Sequence, residues 1–246
     1  MRRILFLMAV TFSHPVAADD WSGAYFGAFG GAGVSDGRAE LGDYSGVVIP
    51  NDVEYGLFPR SIDGNSTGAV AGVGGGYNFQ SNSFVSGIEL DIGYASTSPH
   101  HSYSRIDNVP TSPFPGVSTN TNYSTDFGVL ATLRLRGGYA YRDTLFFGSA
   151  GLAAGRVHNR FELSLPEIGY SSPDWSGSGM RLGYTVGLGV EHRLTRRVSL
   201  KFETMYVNLA DRTVNGVDGT SFPGEAISYK FSNDMVVARF GINMKF

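Results

Sequence analysis

The chain has 246 residues, a formal charge of −3, 34 Gly, 13 Tyr and 17 Phe but no Cys, and it contains no apolar run of about 18 residues that could cross a bilayer as a helix. Without cysteine, neither disulfides, Cys-bound metal nor a thiol-linked lipid anchor is available. The weak acidity, with no basic tract to neutralise a phosphate backbone, argues against nucleic acid as a partner.

In chain order, Arg2 and Arg3 precede an apolar run, Ile4 to Phe12, and then Ser13-His-Pro-Val-Ala-Ala18. Charged, apolar and small-residue parts in this order mark residues 1–18 as a secretory signal peptide. Its removal takes two arginines and changes the formal charge from −3 to −3 − 2 = −5. Residues 19–246 then form one domain.

That domain reads as strands joined alternately by short turns and long polar stretches. Strands are expected over 21–35, 67–79, 84–96, 125–141, 144–161, 180–194, 198–212 and 235–246. The facing of the first and fifth is left open by the pattern. Tight turns fall at 80–83, 142–143 and 195–197; long connections fall at 36–66, 97–124, 162–179 and 213–230. The expected fold is all-β: an eight-stranded antiparallel up-and-down transmembrane β-barrel with short periplasmic turns and four long extracellular loops.

Strand alternation supports a barrel over a soluble sandwich. Side chains alternate faces with period two, so the closing strand puts Val236, Ala238, Phe240, Ile242, Met244 and Phe246 on one wholly apolar face. No later segment covers that face, and lipid is its expected neighbour. Opposite the apolar faces of other strands stand charges assigned to the lumen: Arg134, Arg136, Arg181, Arg193, Lys201, Arg239 and Lys245 against Glu89, Asp91, Asp126, Glu191 and Glu203. Because side chains fill an eight-stranded barrel, these charges are expected to pair as a polar plug. A gated narrow pore, in which pairs switch partners, is the runner-up.

The ending resembles the C-terminal strand of bacterial outer-membrane barrels, in which Phe and apolar residues at alternate positions serve as an assembly signal. The resemblance gives that role to Phe240, Ile242, Met244 and Phe246. Trp21-Ser-Gly-Ala-Tyr-Phe-Gly, Gly76-Tyr-Asn-Phe79, Phe84-Val-Ser-Gly-Ile-Glu-Leu-Asp91, Leu133-Arg-Leu-Arg-Gly-Gly-Tyr139, Gly148 to Gly155 and Gly183 to Glu191 are similar to stretches of small alphaproteobacterial outer-membrane barrel proteins of the porin or surface-antigen kind. These are related to the transmembrane domain of outer membrane protein A. The resemblance covers the strands and almost none of the loops. It implies outer-membrane location, a monomer, and partnership with outer-membrane lipid, lipopolysaccharide and the barrel-assembly machinery. It also implies roles in envelope integrity, host or environmental contact, or limited solute passage. Wall tethering is not expected, since no peptidoglycan-binding segment follows the last strand.

Loops are where a rigid barrel would display binding residues. Phe58, Tyr103, Phe114, Trp175 and Phe222 are candidates for an apolar contact patch. The carboxylates of 36–66 lack the alternating spacing of a calcium loop and read as a solvated acidic loop. Gly72-Val-Gly-Gly-Gly76 lies within a strand and relieves crowding rather than cradling phosphate. His100-His101-Ser102 could offer a base beside a nucleophile, but no acid converges on it, so a lipid-modifying enzyme is only a remote alternative. The expectation is a non-enzyme without cofactor or metal.

Overall fold

The computed structural model describes residues 20–108, 115–173, 175–217 and 223–246. The signal-peptide segment 1–18, and with it Phe114 and Phe222, lies outside the described residues.

The strands among the described residues are β1 (Gly23–Ser45), β2 (Ser61–Ser81), β3 (Phe84–Ala95), β4 (His100–Ile106), β5 (Ser118–Tyr141), β6 (Thr144–Leu165), β7 (Tyr170–Ser171), β8 (Trp175–Arg193), β9 (Val198–Val217) and β10 (Ala226–Lys245), with a short α-helix, α1 (Ile49–Glu54), and a 3-10 turn at Pro166–Ile168. Eight of them close an antiparallel ring in the order β1, β2, β3, β5, β6, β8, β9, β10, with β10 returning to β1. The pair β4 and β7 are short additions paired to β5 and β6. Closure leaves no free sheet edge in the membrane, which a lipid solvent requires.

The two open facings are now resolved. On β1, Tyr25 and Ser35 point inward while Phe26 and Val34 point out; on β6, Leu145 and Phe147 point inward while Phe146 and Leu152 point out. Phe240, Ile242, Met244 and Phe246 all face outward, with Phe246 79% exposed. Each ring strand switches on its outer face from apolar to polar at one place: Val34 to Asp36, Ala69 to Thr67, Tyr94 to Ser96, Val129 to Asp126, Ala154 to Arg156, Met180 to Ser178, Tyr206 to Asn208 and Val236 to Asp234. Those eight switches trace the outer edge of the lipid-facing band. From Phe26 to Asp36 a strand rises about 33 Å along its length, or about 25 Å at the usual tilt, the height of such a band.

The strands do not stop there. The expected long connection 36–66 is largely ladder, with Asp36 paired to Asn65 and Glu40 to Ser61. Likewise β5 begins at Ser118, β6 ends at Leu165, β8 begins at Trp175, β9 ends at Val217 and β10 begins at Ala226. Above the lipid the outward face is solvated and becomes polar, so mean hydropathy falls although the alternation persists. Nearly half the barrel therefore stands outside the membrane.

Candidate functional site

The interior is layered from the inner rim outward. Trp21, Val85, Ala140, Leu145 and Phe147 form an apolar floor. Above it lies a charged layer, then an apolar layer around Val70, Phe127, Val157, Leu209 and Val237. An aromatic core in the extracellular half completes the stack, built on Tyr123, Phe161, Trp175, Tyr229 and Phe231.

Arg134 is the pivot of the charged layer. Fully buried, it pairs with Glu89 and Glu203, meets Asp91 at 2.7 Å, and donates to the Ser149 hydroxyl at 2.9 Å. Arg239 joins Asp91 (2.6 Å) to Glu203 (2.7 Å). Lys201 reaches across the lumen to Glu89 at 2.8 Å. Arg136 holds Glu191 at 2.8 Å, lies over the face of the Phe147 ring, and donates to the Tyr25 hydroxyl, which itself donates to Glu89 at 2.7 Å. Ser199 and Asn243 complete the hydrogen bonding of Glu191. Four cations thus meet four carboxylates, a net of 4 − 4 = 0, with each carboxylate bonded at least once. Such a network is tolerated in a buried interior because the charges pair with one another, although the Nε groups of Arg134 and Arg136 find no partner among the described residues. Gly74 and Gly76 of β2 make the room: a Cβ at the first would strike the Asp91 carboxylate, and one at the second would meet the Tyr25 hydroxyl.

The structure therefore brings together Glu89, Asp91, Arg134, Arg136, Glu191, Lys201, Glu203 and Arg239. It separates the other assigned lumen charges from them. Asp126 faces outward, opposite His158. The cause is a β-bulge between Phe127 and Leu130, which inserts a residue into β5 and reverses its alternation, turning Phe127 inward. Arg181 faces inward far above the layer and has no ion pair among the described residues. Arg193 and Lys245 lie at the inner rim, where both donate to the Asp20 carbonyl and Arg193 covers the Trp21 ring.

The contact patch expected of Phe58, Tyr103 and Trp175 is also corrected. Phe58 and Trp175 are buried in the extracellular core and Tyr103 packs against it. Strands continuing past the lipid create an interior there, and these side chains fill it. Their neighbourhood includes a cork, residues 46–60 with α1, whose Val53, Leu57 and Phe58 are buried. The Glu225 carboxylate accepts the backbone N–H groups of Val47, Val48 and Ile49, while the Tyr103 and Tyr229 hydroxyls donate to the Gly56 and Pro59 carbonyls. Sequence reasoning missed the core and cork. Alternation offered a signal: Ile227, Tyr229, Phe231, Met235 and Val237 share one parity across the supposed loop boundary. The Ser102 hydroxyl donates to Asn122, and the His100 ring bonds the Ser98 carbonyl.

The cork carries a pH dependence. Burial, with the Asp107 and Glu225 charges nearby, pushes the Asp52 carboxyl up from 3.8 to about 7. The docked cork thus holds a proton that a released cork gives up, so docking is favoured at low pH and weakens as pH rises from about 4 through about 7. Proteolysis or hydrogen exchange of residues 47–58 should accelerate between about pH 5 and about pH 8, and Asp52→Asn should flatten that profile. Equal acceleration in the variant would refute Asp52 as the cause.

Comparison with known proteins places this geometry. The model of the outer membrane protein beta-barrel domain matches residues 4–240. The 31 kDa outer-membrane immunogenic protein of Brucella melitensis biotype 1 is 28% identical over 234 residues, covering 94% of this chain and 86% of that protein. The 22 kDa outer membrane protein of Rhizobium leguminosarum bv. viciae is 27% identical over 205 residues, 83% of this chain and 79% of the other. Among solved structures, outer membrane protein OprG from Pseudomonas aeruginosa superposes with a TM-score of 0.51 at 13% identity, covering 92% of this chain and 97% of that one. At that identity the likeness concerns the fold alone.

Proposed function

The chain belongs to the outer membrane protein beta-barrel domain family and resides in the bacterial outer membrane, and from that premise we propose that it is a closed structural barrel displaying its extracellular half. The observation that carries this reading is the filled lumen. Among the described residues, a neutral, mutually paired charge layer sits below two apolar layers and the cork, which supports a lumen filled by side chains. On this reading the barrel contributes to envelope integrity, and its solvated outer wall and hairpins make contact with a host or the environment. The Brucella relative is named as immunogenic, which fits a wall that projects well beyond the lipid.

The test has two arms. The mature chain, residues 19–246, refolded into a planar bilayer, should stay electrically silent once heat-modified gel mobility verifies a folded barrel. Reproducible, salt-dependent openings would overturn the closed-barrel reading. For display, antibodies raised against the folded protein should label intact cells. Absence of labelling on intact cells would remove the display role.

A further inference from the structure

The outer edge of the lipid-facing band is chemically lopsided. Where the outer faces turn polar, β1, β5 and β10 present Asp36, Asp126 and Asp234, and β2, β3, β8 and β9 present Thr67, Ser96, Ser178 and Asn208. On β6 the same step instead presents Arg156, followed on the same face by His158. Of the other exposed cations of the extracellular half, Arg38 pairs with Asp63 at 2.6 Å and Lys230 with Asp211 at 2.9 Å, while Arg60 and Arg105 stand farther out, beyond the lipid-facing edge. Arg156 is exposed and has no ion pair among the described residues.

A niche surrounds it. The β5 bulge sets Gly128 beside Arg156, and a Cβ there would lie 3.8 Å from the Tyr94 ring and 3.9 Å from the Arg156 Cβ. Glycine therefore leaves the space between the Tyr94 ring and the base of the Arg156 side chain open. His158 is flanked by its register partners Asp126 on β5 and Ser178 on β8. Beyond it, Glu162 lies 3.5 Å from Arg160 and offsets that charge.

We propose that Arg156, with His158 and the Ser178 hydroxyl beside it, binds a phosphate on the lipid A headgroup of the outer leaflet, with Tyr94 packing on the sugar or acyl junction. Three physical points converge. The height is that at which acyl chains give way to headgroups, as the Ala154-to-Arg156 switch marks. The guanidinium can bind two phosphate oxygens at once and has no carboxylate within ion-pair distance among the described residues. The longer ladders and the cork place this edge on the side where barrels carry their long connections, the extracellular leaflet. Asp126 beside His158 sets the limits of the site, repelling a second anion and leaving Arg156 as the main contact.

The experiment uses the mature protein refolded in phosphatidylcholine vesicles, with or without lipid A, and reads the unfolding temperature by heat-modified gel mobility and the lipid A retained through detergent exchange. Lipid A should raise the unfolding temperature of the wild type. The variant Arg156→Ala/His158→Ala should unfold as the wild type does in plain vesicles, yet retain about tenfold less lipid A, the size expected for losing one charge-assisted hydrogen bond. Dephosphorylated lipid A should leave the wild type unshifted, a comparison that needs no mutation. Equal retention by the variant, or an equal shift with dephosphorylated lipid A, would overturn the proposal. An equal shift with phosphatidylglycerol would overturn the assignment to lipid A.

Discussion

Arg134→Ala should destabilise the barrel by about 3–5 kcal/mol, the cost of removing one partner from a buried ion network. The guanidinium touches Glu89, Asp91 and Glu203 together. Without it, three cations remain against four carboxylates in a layer cut off from water. Lys201 still reaches Glu89, and Arg239 still spans Asp91 and Glu203, so the layer loses its pivot rather than all of its bonds. Arg134→Lys should fall between the two, because a point charge cannot bridge three acceptors as a planar fork does. Urea unfolding in vesicles, followed by the fluorescence of Trp21 and Trp175, measures both. The control is Arg181→Ala, expected within about 1 kcal/mol because no ion pair is lost. Equal effects at Arg134 and Arg181 would show that the network does not hold the barrel together. Conductance of Arg134→Ala should remain silent, since the apolar layers above the charges still fill the lumen.

Phe161→Ala should cost about 3–5 kcal/mol as well, the usual price for emptying a fully buried aromatic site, but in a different part of the molecule. The ring has 0% exposure and lies at 5.0–5.3 Å from the rings of Tyr123, Trp175 and Tyr229. It belongs to the extracellular half, where the outer wall meets water and the interior must supply its own cohesion. The loss should therefore appear as faster hydrogen exchange in the cork and in the extracellular ends of β5, β6, β8 and β10. Exchange in the lipid-facing part should change little, and heat-modified mobility should persist. Uniform acceleration along all strands would mean that the two halves unfold as one unit.

These two substitutions mark the line between what was legible and what was not. Arg134 was recognisable from the chain because Leu133, Leu135 and Tyr139 keep strict alternation on either side of it. Asp126, only eight residues earlier, was misplaced because the bulge at Phe127–Leu130 shifts the parity and leaves no mark in hydropathy. Phe161 and Trp175 fall at the margin of an expected loop and within one, because polar outward residues around them mimic a connection.

The sequence by itself determined the all-β barrel, its eight strands, their short turns and the charged residues of the inner lumen. Period two and a lipid-facing apolar band are local properties, visible in any ten-residue window. Only the tertiary structure decided which charges meet, that β1 and β6 face as they do, and that the strands run on beyond the lipid. It also decided that a cork and an aromatic core fill the extracellular half. Each of these depends on what lies across the barrel or beside a bulge: Glu89 finds Lys201 at 2.8 Å although 112 residues separate them, and ring closure alone brings them together.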